Sequence, residues 1–333
     1  MISVFTSESA TCGHPDKIFD QIADAVLDDI LSHDEKACVS CEVTACEENI
    51  HIMGEITAAY TPDYATIARS VILGAGYDRP DLGFDARNCY VHVDVHPQSS
   101  DFSRIINCRH EEDMGAGSQC VVSGYACDET PEGMPLPITL ANRLSKELQR
   151  VRQEQIIPYL LPDGTAQVCV AYQNGKPFRL STVVISAQHR ADAGTDTLRE
   201  AIDRCVVRSS MPSDMIDAKT DIYINQTGSF ITGGPAGCGG MTGRKVISDT
   251  YGGVVRYGGG TLSGKGPTTA DRTGAYLARY LAKNIVASWI ASRCEVRLSY
   301  AIGLADPTSL MVDTFGTGKI CDEIIADWLL QNY

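Results

Sequence analysis

No apolar run in the 333-residue sequence approaches the roughly 20 residues that a membrane-spanning helix needs, so no span is expected. The opening residues, MISVFTSESATCGHPDK, lack the basic and apolar regions of a secretory leader. Positive charge is scarce: 28 Lys and Arg stand against 42 Asp and Glu, a net of −14. That balance argues against a nucleic-acid-binding surface. No low-complexity linker divides the chain and no exact repeat recurs, so independent beads on a string are not expected. Among 13 cysteines only Cys38, Cys41 and Cys46 lie close together, on a strand-like run with no second pair nearby, which speaks against a zinc site. Without an export signal, free thiols and a cytoplasmic location are expected.

What the chain has in excess is glycine in one place. Residues 228–266 hold 14 of the 30 glycines, four bases (Arg244, Lys245, Arg256, Lys265) and one acid, Asp249. Glycine lets backbone N–H groups approach a ligand closely. Together with Lys and Arg, such amides hold phosphate, so this basic island in an acidic protein reads as a polyphosphate cradle. It is not a P-loop. Residues 259–265 spell G-x-x-x-x-G-K, but Gly266 follows where Ser or Thr would hold magnesium, and YGGVVRY is too glycine-broken for the preceding strand.

A mixed α/β chain is expected. Pro15 and Asp16 open a helix whose apolar stripe is Ile18, Ile22, Ala25, Val26 and Ile30. His14 then stands at its positive end, either as a simple cap or as a ligand of metal-chelated phosphate. Strands 37–46 and 50–59, joined by 47–49, alternate clearly, and a turn centred between Glu48 and Asn49 would place Glu42 opposite Glu55. Opposed like charges need water, a cation or a positively charged ligand to compensate. Helices at 62–77, 136–153, 195–207 and 268–292 and strands at 88–95, 168–172, 180–186, 221–225 and 295–303 complete the reading. Residues 98–112 read as a polar loop, and Asp271 falls in the first turn of the last helix.

GHPDK at 13–17, GGPAGCGGMTGRK at 233–245 and YGGG…SGK at 257–265 resemble the hallmarks of the S-adenosylmethionine synthetase family. FTSES, DTYGG, VDTFGT and the AKNIVAS helix match it too, in the family's order. The resemblance implies three interleaved α/β domains with pseudo-threefold symmetry, here 1–100, 114–231 and 232–333. It implies a homodimer or dimer of dimers with active sites between subunits. The implied reaction is attack of the methionine sulfur on C5′ of ATP, with release and hydrolysis of triphosphate, assisted by two Mg²⁺ per site and K⁺. Position by position, it implies that His14, Arg244, Lys245 and Lys265 act on the triphosphate. Lys17, Asp163 and Phe230 would also bind ATP, and Asp16 and Asp271 would hold magnesium. Glu42 would bind potassium. Glu55, Gln98 and Ile302 would face methionine, with 98–112 as a gating loop.

Several family positions are altered. Ser118 and Cys238 replace aspartates expected near methionine and ribose, and Thr165 and Thr269 replace phosphate-side lysines. Ser229 replaces an arginine, Cys12 a glutamate, and the chain ends at Tyr333, before the family's usual C-terminal segment. Three readings stay open: a divergent synthetase, an enzyme that adenosylates another nucleophile, or an impaired ATP-binding or regulatory subunit. A thiol cluster of Cys12, Cys120 and Cys238 is a further, less favoured expectation.

Overall fold

The computed structural model describes residues 2–99, 115–257 and 260–332. One structural unit occurs three times: a hairpin, an antiparallel strand borrowed from elsewhere in the chain on one edge, and two helices on one face. In the first, β2 (Cys38–Cys46) and β3 (Asn49–Thr57) pair beneath α1 (Pro15–His33) and α2 (Tyr64–Ala75), with β4 (Tyr90–His96) parallel to β3. In the second, β6 (Leu160–Gln173) and β7 (Lys176–His189) pack against α3 (Leu136–Gln153) and α4 (Thr195–Ile202), with β8 (Asp221–Ile224) parallel to β7. In the third, β10 (Arg293–Tyr300) and β11 (Ser309–Asp313) lie against α5 (Ala270–Ala287) and α6 (Asp322–Asn332).

The borrowed strands interleave the units in a cycle. β1 (Ile2–Ala10) joins β6, β5 (Cys120–Cys127) joins β10, and β9 (Gly240–Met241) joins β2, each antiparallel. Each unit therefore carries an edge supplied by another, and none can complete its sheet alone.

The helix-facing side of each sheet is the core. Ile18, Phe19 and Ile22 meet Val43, Ile50 and Ile52; Leu140 and Leu144 meet Val168 and Val183; Leu281 and Ile285 meet Val122, Val296 and Leu298. The other face stays open and partly apolar, with Val4, Met53, Val121, Tyr223 and Met311 exposed on strands of all three sheets.

Local sequence explains the element ends. Asp63 caps α2 by accepting the Thr66 N–H at 3.0 Å, and Gly76, at φ +106°, closes that helix. Asn174 and Gly175, both at positive φ, form the two-residue turn between β6 and β7. The expected strands flanking that turn prove longer, and the expected helix 195–207 ends in a π-helical turn at Asp203–Val207.

One register expectation is corrected. The β2–β3 turn is two residues, Glu47 and Glu48, with Glu47 at φ 55°, so Cys46 pairs with Asn49. Glu42 therefore faces Met53, and Glu55 faces Ser40. The two carboxylates share the exposed face as diagonal neighbours, where repulsion is weaker than between opposed partners.

Candidate active site

Three loops meet to form a cavity of about 380 Å³ lined by His14, Asp163, Phe230 and Cys238 among others. They join β1 to α1, open β6, and follow β8. Each of their contacts engages a backbone atom on at least one side. Thr11 donates its amide to Gly164 O and its hydroxyl to Pro162 O. The buried Tyr77 hydroxyl donates to Gly13 O at 2.6 Å. A Cβ on Gly13 would lie 2.4 Å from Pro162 O, and one on Gly234, at φ +63°, would lie 2.3 Å from Tyr77 Oη. Both positions therefore require glycine.

His14 caps α1, its Nδ1 accepting the Asp16 N–H at 3.2 Å. Burial, reinforced by Lys245 and the neighbouring Arg244 and Lys17 against the pull of Asp16, lowers its pKa to about 4. The ring is thus neutral near pH 7, with its remaining proton on Nε2, available as a donor. The capping role is present, and the same ring lines the cavity.

The buried Asp16 gathers the cations. Its Oδ2 lies 3.0 Å from Lys245 Nζ, its Oδ1 accepts the Met241 N–H at 3.1 Å, and Arg244 stands 3.7 Å away. Lys17 is tied back, Nζ donating to Asp20 at 3.1 Å and Asp249 at 2.8 Å. Burial opposes its charge, but these two carboxylates prevail and raise its pKa.

Asp163 is buried and accepts the Gly234 N–H at 2.8 Å; burial raises its pKa to about 6 despite that bond and the nearby Lys245. Phe230 is fixed by His189, whose Nε2 accepts the Phe230 N–H at 3.1 Å while the protonated Nδ1 donates to Arg190 O at 2.9 Å.

A second cavity, about 480 Å³, is lined by Cys120, Gly260, Asp271, Tyr300, Ala301 and their neighbours. Asp271, in the first turn of α5, accepts from Ser118 Oγ at 2.6 Å, and Lys265 Nζ lies 3.7 Å from its other oxygen. Ile302 follows Ala301 at the cavity's rim and is 42% exposed.

The expected site residues thus fall into separate groups. His14, Asp163 and Phe230 line the first cavity; Asp16, beside His14, holds Lys245 and Arg244, which line a separate hollow of about 280 Å³, and Lys17 is tied to Asp20 and Asp249. Lys265, Asp271, Ser118 and Ile302 gather at the second. Glu42 and Glu55 lie on the open face of β2 and β3, and the backbone of Gln98 is held by Thr57 Oγ1 at 3.0 Å. Residues 100–112 of the expected gating loop lie outside the described residues. Helix α1 touches both groups: Asp16 lies beside His14, and Asp24, eight residues and about 12 Å along the axis, accepts from Gly264 N–H and Arg272, the chain neighbours of Lys265 and Asp271.

Two expectations are corrected. Arg256 is not a free base of the cradle, because Glu295, fully buried, and Asp313 clamp it at 3.0 and 2.7 Å. Cys12, Cys120 and Cys238 do not cluster: Cys12 sits beside Arg152, Cys120 lines the second cavity and Cys238 the first. The twelve described cysteines are all free.

The metal question turns on donor chemistry. Among the described residues no group of three His, Cys, Asp or Glu could hold an ion. Asp16 and Asp271 are instead single carboxylates beside lysines, which fits magnesium held by one carboxylate with phosphate and water oxygens. Sequence reasoning missed Tyr77 and His189, which position the cavity, and Asn225, which lines it. Asn225, at φ 42° and buried, locks β7 by exchanging amide hydrogen bonds with Ala187; a turn-favouring residue closing a strand was its only signal.

Among the described residues no helix is long and apolar enough to cross a membrane. Comparison with known families matches residues 2–100 to the S-adenosylmethionine synthetase N-terminal domain, 113–230 to the central domain and 232–333 to the C-terminal domain.

Proposed function

Since the chain belongs to the S-adenosylmethionine synthetase family, we propose that it is a methionine adenosyltransferase, acting on ATP and methionine in the cytoplasm. The supporting observation is one charge cluster at the edge of the glycine-built cavity: the Asp16 carboxylate holds Lys245 at 3.0 Å and Arg244 at 3.7 Å beside a neutral His14 that lines the cavity, the two bases lining a further hollow. A thioether is already a nucleophile and needs no base to activate it. As its sulfur forms the bond to C5′, the C5′–O bond breaks and the electron pair leaves on the triphosphate oxygen. Arg244 and Lys245 meet that developing charge, and the proton on His14 Nε2 is offered as a hydrogen bond near it. Phe230 and Asp163 hold the nucleoside so that sulfur and leaving oxygen stay in line. Magnesium at Asp16 and Asp271, two ions per site, and potassium at Glu42 would neutralise the phosphates.

The separation of Lys265, Asp271, Glu55, Gln98 and Ile302 from the first cavity supports a site completed by a second copy of the chain. A homodimer, alone or paired into a tetramer, would bring one copy's second cavity and open sheet face to the other's first cavity. The exposed apolar strand residues of all three sheets favour such a covering.

A second reading has its own support. Thr165, Ser186, Thr227, Ser229 and Thr232 line the first cavity with neutral hydroxyls, and its one lining carboxylate, Asp163, is already hydrogen-bonded. A nucleophile without an ammonium group would suit that lining, and a weakly active ATP-binding subunit is the limiting case. Incubation with ATP, Mg²⁺ and K⁺, with and without methionine, separates these. Methionine-dependent S-adenosylmethionine and phosphate support the proposal. Phosphate release indifferent to methionine supports another nucleophile or hydrolysis, and ATP binding without turnover supports the subunit.

A further inference from the structure

Behind the first cavity lies a separate hollow of about 280 Å³, with Arg152 half-buried in its lining and Arg79 and Arg190 exposed at its rim. Leu161 and Pro162 line it, and Pro162 packs on Gly13, which precedes His14 of the first cavity. We propose that this hollow binds a small phosphate-type anion and that its occupancy tightens nucleotide binding from behind. This rests on the nucleotide reading of the first cavity.

The charge pattern points to an anion. Arg152 makes no ion pair with a carboxylate among the described residues. Its guanidinium donates to Ala75 O at 3.0 Å and lies beside the Cys12 thiol. A half-buried guanidinium calls for a counter-charge. The hollow supplies little: Asp78 is its one lining acid, and Asp81 and Asp192 pair with the rim arginines. Those rim pairs are exposed and contribute little, so a ligand can draw Arg79 and Arg190 inward. Guanidinium groups offer paired N–H donors that match phosphate oxygens.

The connections point to regulation. Arg152 touches Cys12, which immediately precedes Gly13 and His14. Pro162 packs directly on Gly13, accepts from Thr11 and immediately precedes Asp163. The carbonyl of Arg190 accepts from the His189 ring that fixes Phe230. An anion drawing Arg152 and Arg190 together would hold the Pro162 wall in one position, and with it His14, Asp163 and Phe230. Ordering these groups in advance raises nucleotide affinity, and by linkage the nucleotide raises anion affinity by the same factor.

Equilibrium dialysis with radiolabelled pyrophosphate, and in a second arm orthophosphate, tests this in the presence of a saturating non-hydrolysable ATP analogue. One further anion per chain is expected, with affinity at least tenfold weaker in Arg152→Met, partly restored in Arg152→Lys and reduced in the exposed-rim variant Arg190→Ala. The analogue should bind roughly fivefold tighter with the anion present. No further anion while the analogue binds, or unchanged anion binding in both Arg152→Met and Arg190→Ala, overturns the proposal. If the analogue itself fails to bind, the nucleotide reading fails. Dialysis of the bare protein against the same variants then still decides whether the hollow takes the anion.

Discussion

Replacing Asp163 by Asn should make the nucleotide-free protein more stable while impairing it. Burial raises the Asp163 pKa from 3.8 to about 6. Between those values the folded chain holds a proton that the unfolded chain has released, so stability falls as pH rises through the window. At about 1.4 kcal/mol per pKa unit, ionising this buried carboxylate costs the folded state about 3 kcal/mol above pH 7. Asn keeps an oxygen to accept the Gly234 N–H, 2.8 Å from the carboxylate in the native chain, and removes the titration. Urea denaturation of wild type and Asp163→Asn, without metal or nucleotide, should give similar stabilities below pH 4. By pH 8 the variant should be ahead by up to about 3 kcal/mol. ATP affinity should fall, because a charge held at such cost is retained for a ligand. A difference that is flat across pH, or a variant that is the less stable at pH 8, would refute the reasoning.

Four further outcomes are expected. Tyr77→Phe leaves the Gly13 carbonyl without its partner in a buried setting and should cost about 1–3 kcal/mol by chemical denaturation, with a rise in KM for ATP. Gly234→Ala forces a Cβ into Tyr77 at φ +63° and should destabilise by roughly 1–3 kcal/mol or more, read as a lower Tm. Lys265→Ala and Asp271→Ala should each abolish most turnover, and near-normal rates in both would remove the phosphate role given to them. Mixed with Lys245→Ala and allowed to exchange subunits, either should recover part of the activity if sites form between copies; no recovery in verified mixed dimers would place the two cavities in separate functions.

Much of the site was legible because its chemistry is concentrated in sequence. The GHPDK helix start and the glycine-rich run each announce amides and bases locally, although only contacts across more than 200 residues bring Asp16 to Met241 and Lys245. What was not legible depends on tertiary pairing. β1 and β9 are strands only because β6 and β2 offer edges to them, and β11 and α6 were likewise missed. Arg256 reads as a cradle base until β10 brings the buried Glu295 to it. The Glu42–Glu55 expectation failed on the turn alone: Glu47 adopts a left-handed conformation that shortens the loop and shifts the register. Tyr77 and His189 act through backbone atoms far away in the chain, and nothing in their own neighbourhoods announces it.

Calorimetric titration with ATP at millimolar Mg²⁺ tests the central claim most directly. Binding to the wild-type protein that weakens roughly tenfold to a hundredfold in Lys245→Met, as loss of a charged hydrogen bond implies, is the predicted result. A folded wild-type protein that takes up no ATP under these conditions would contradict it.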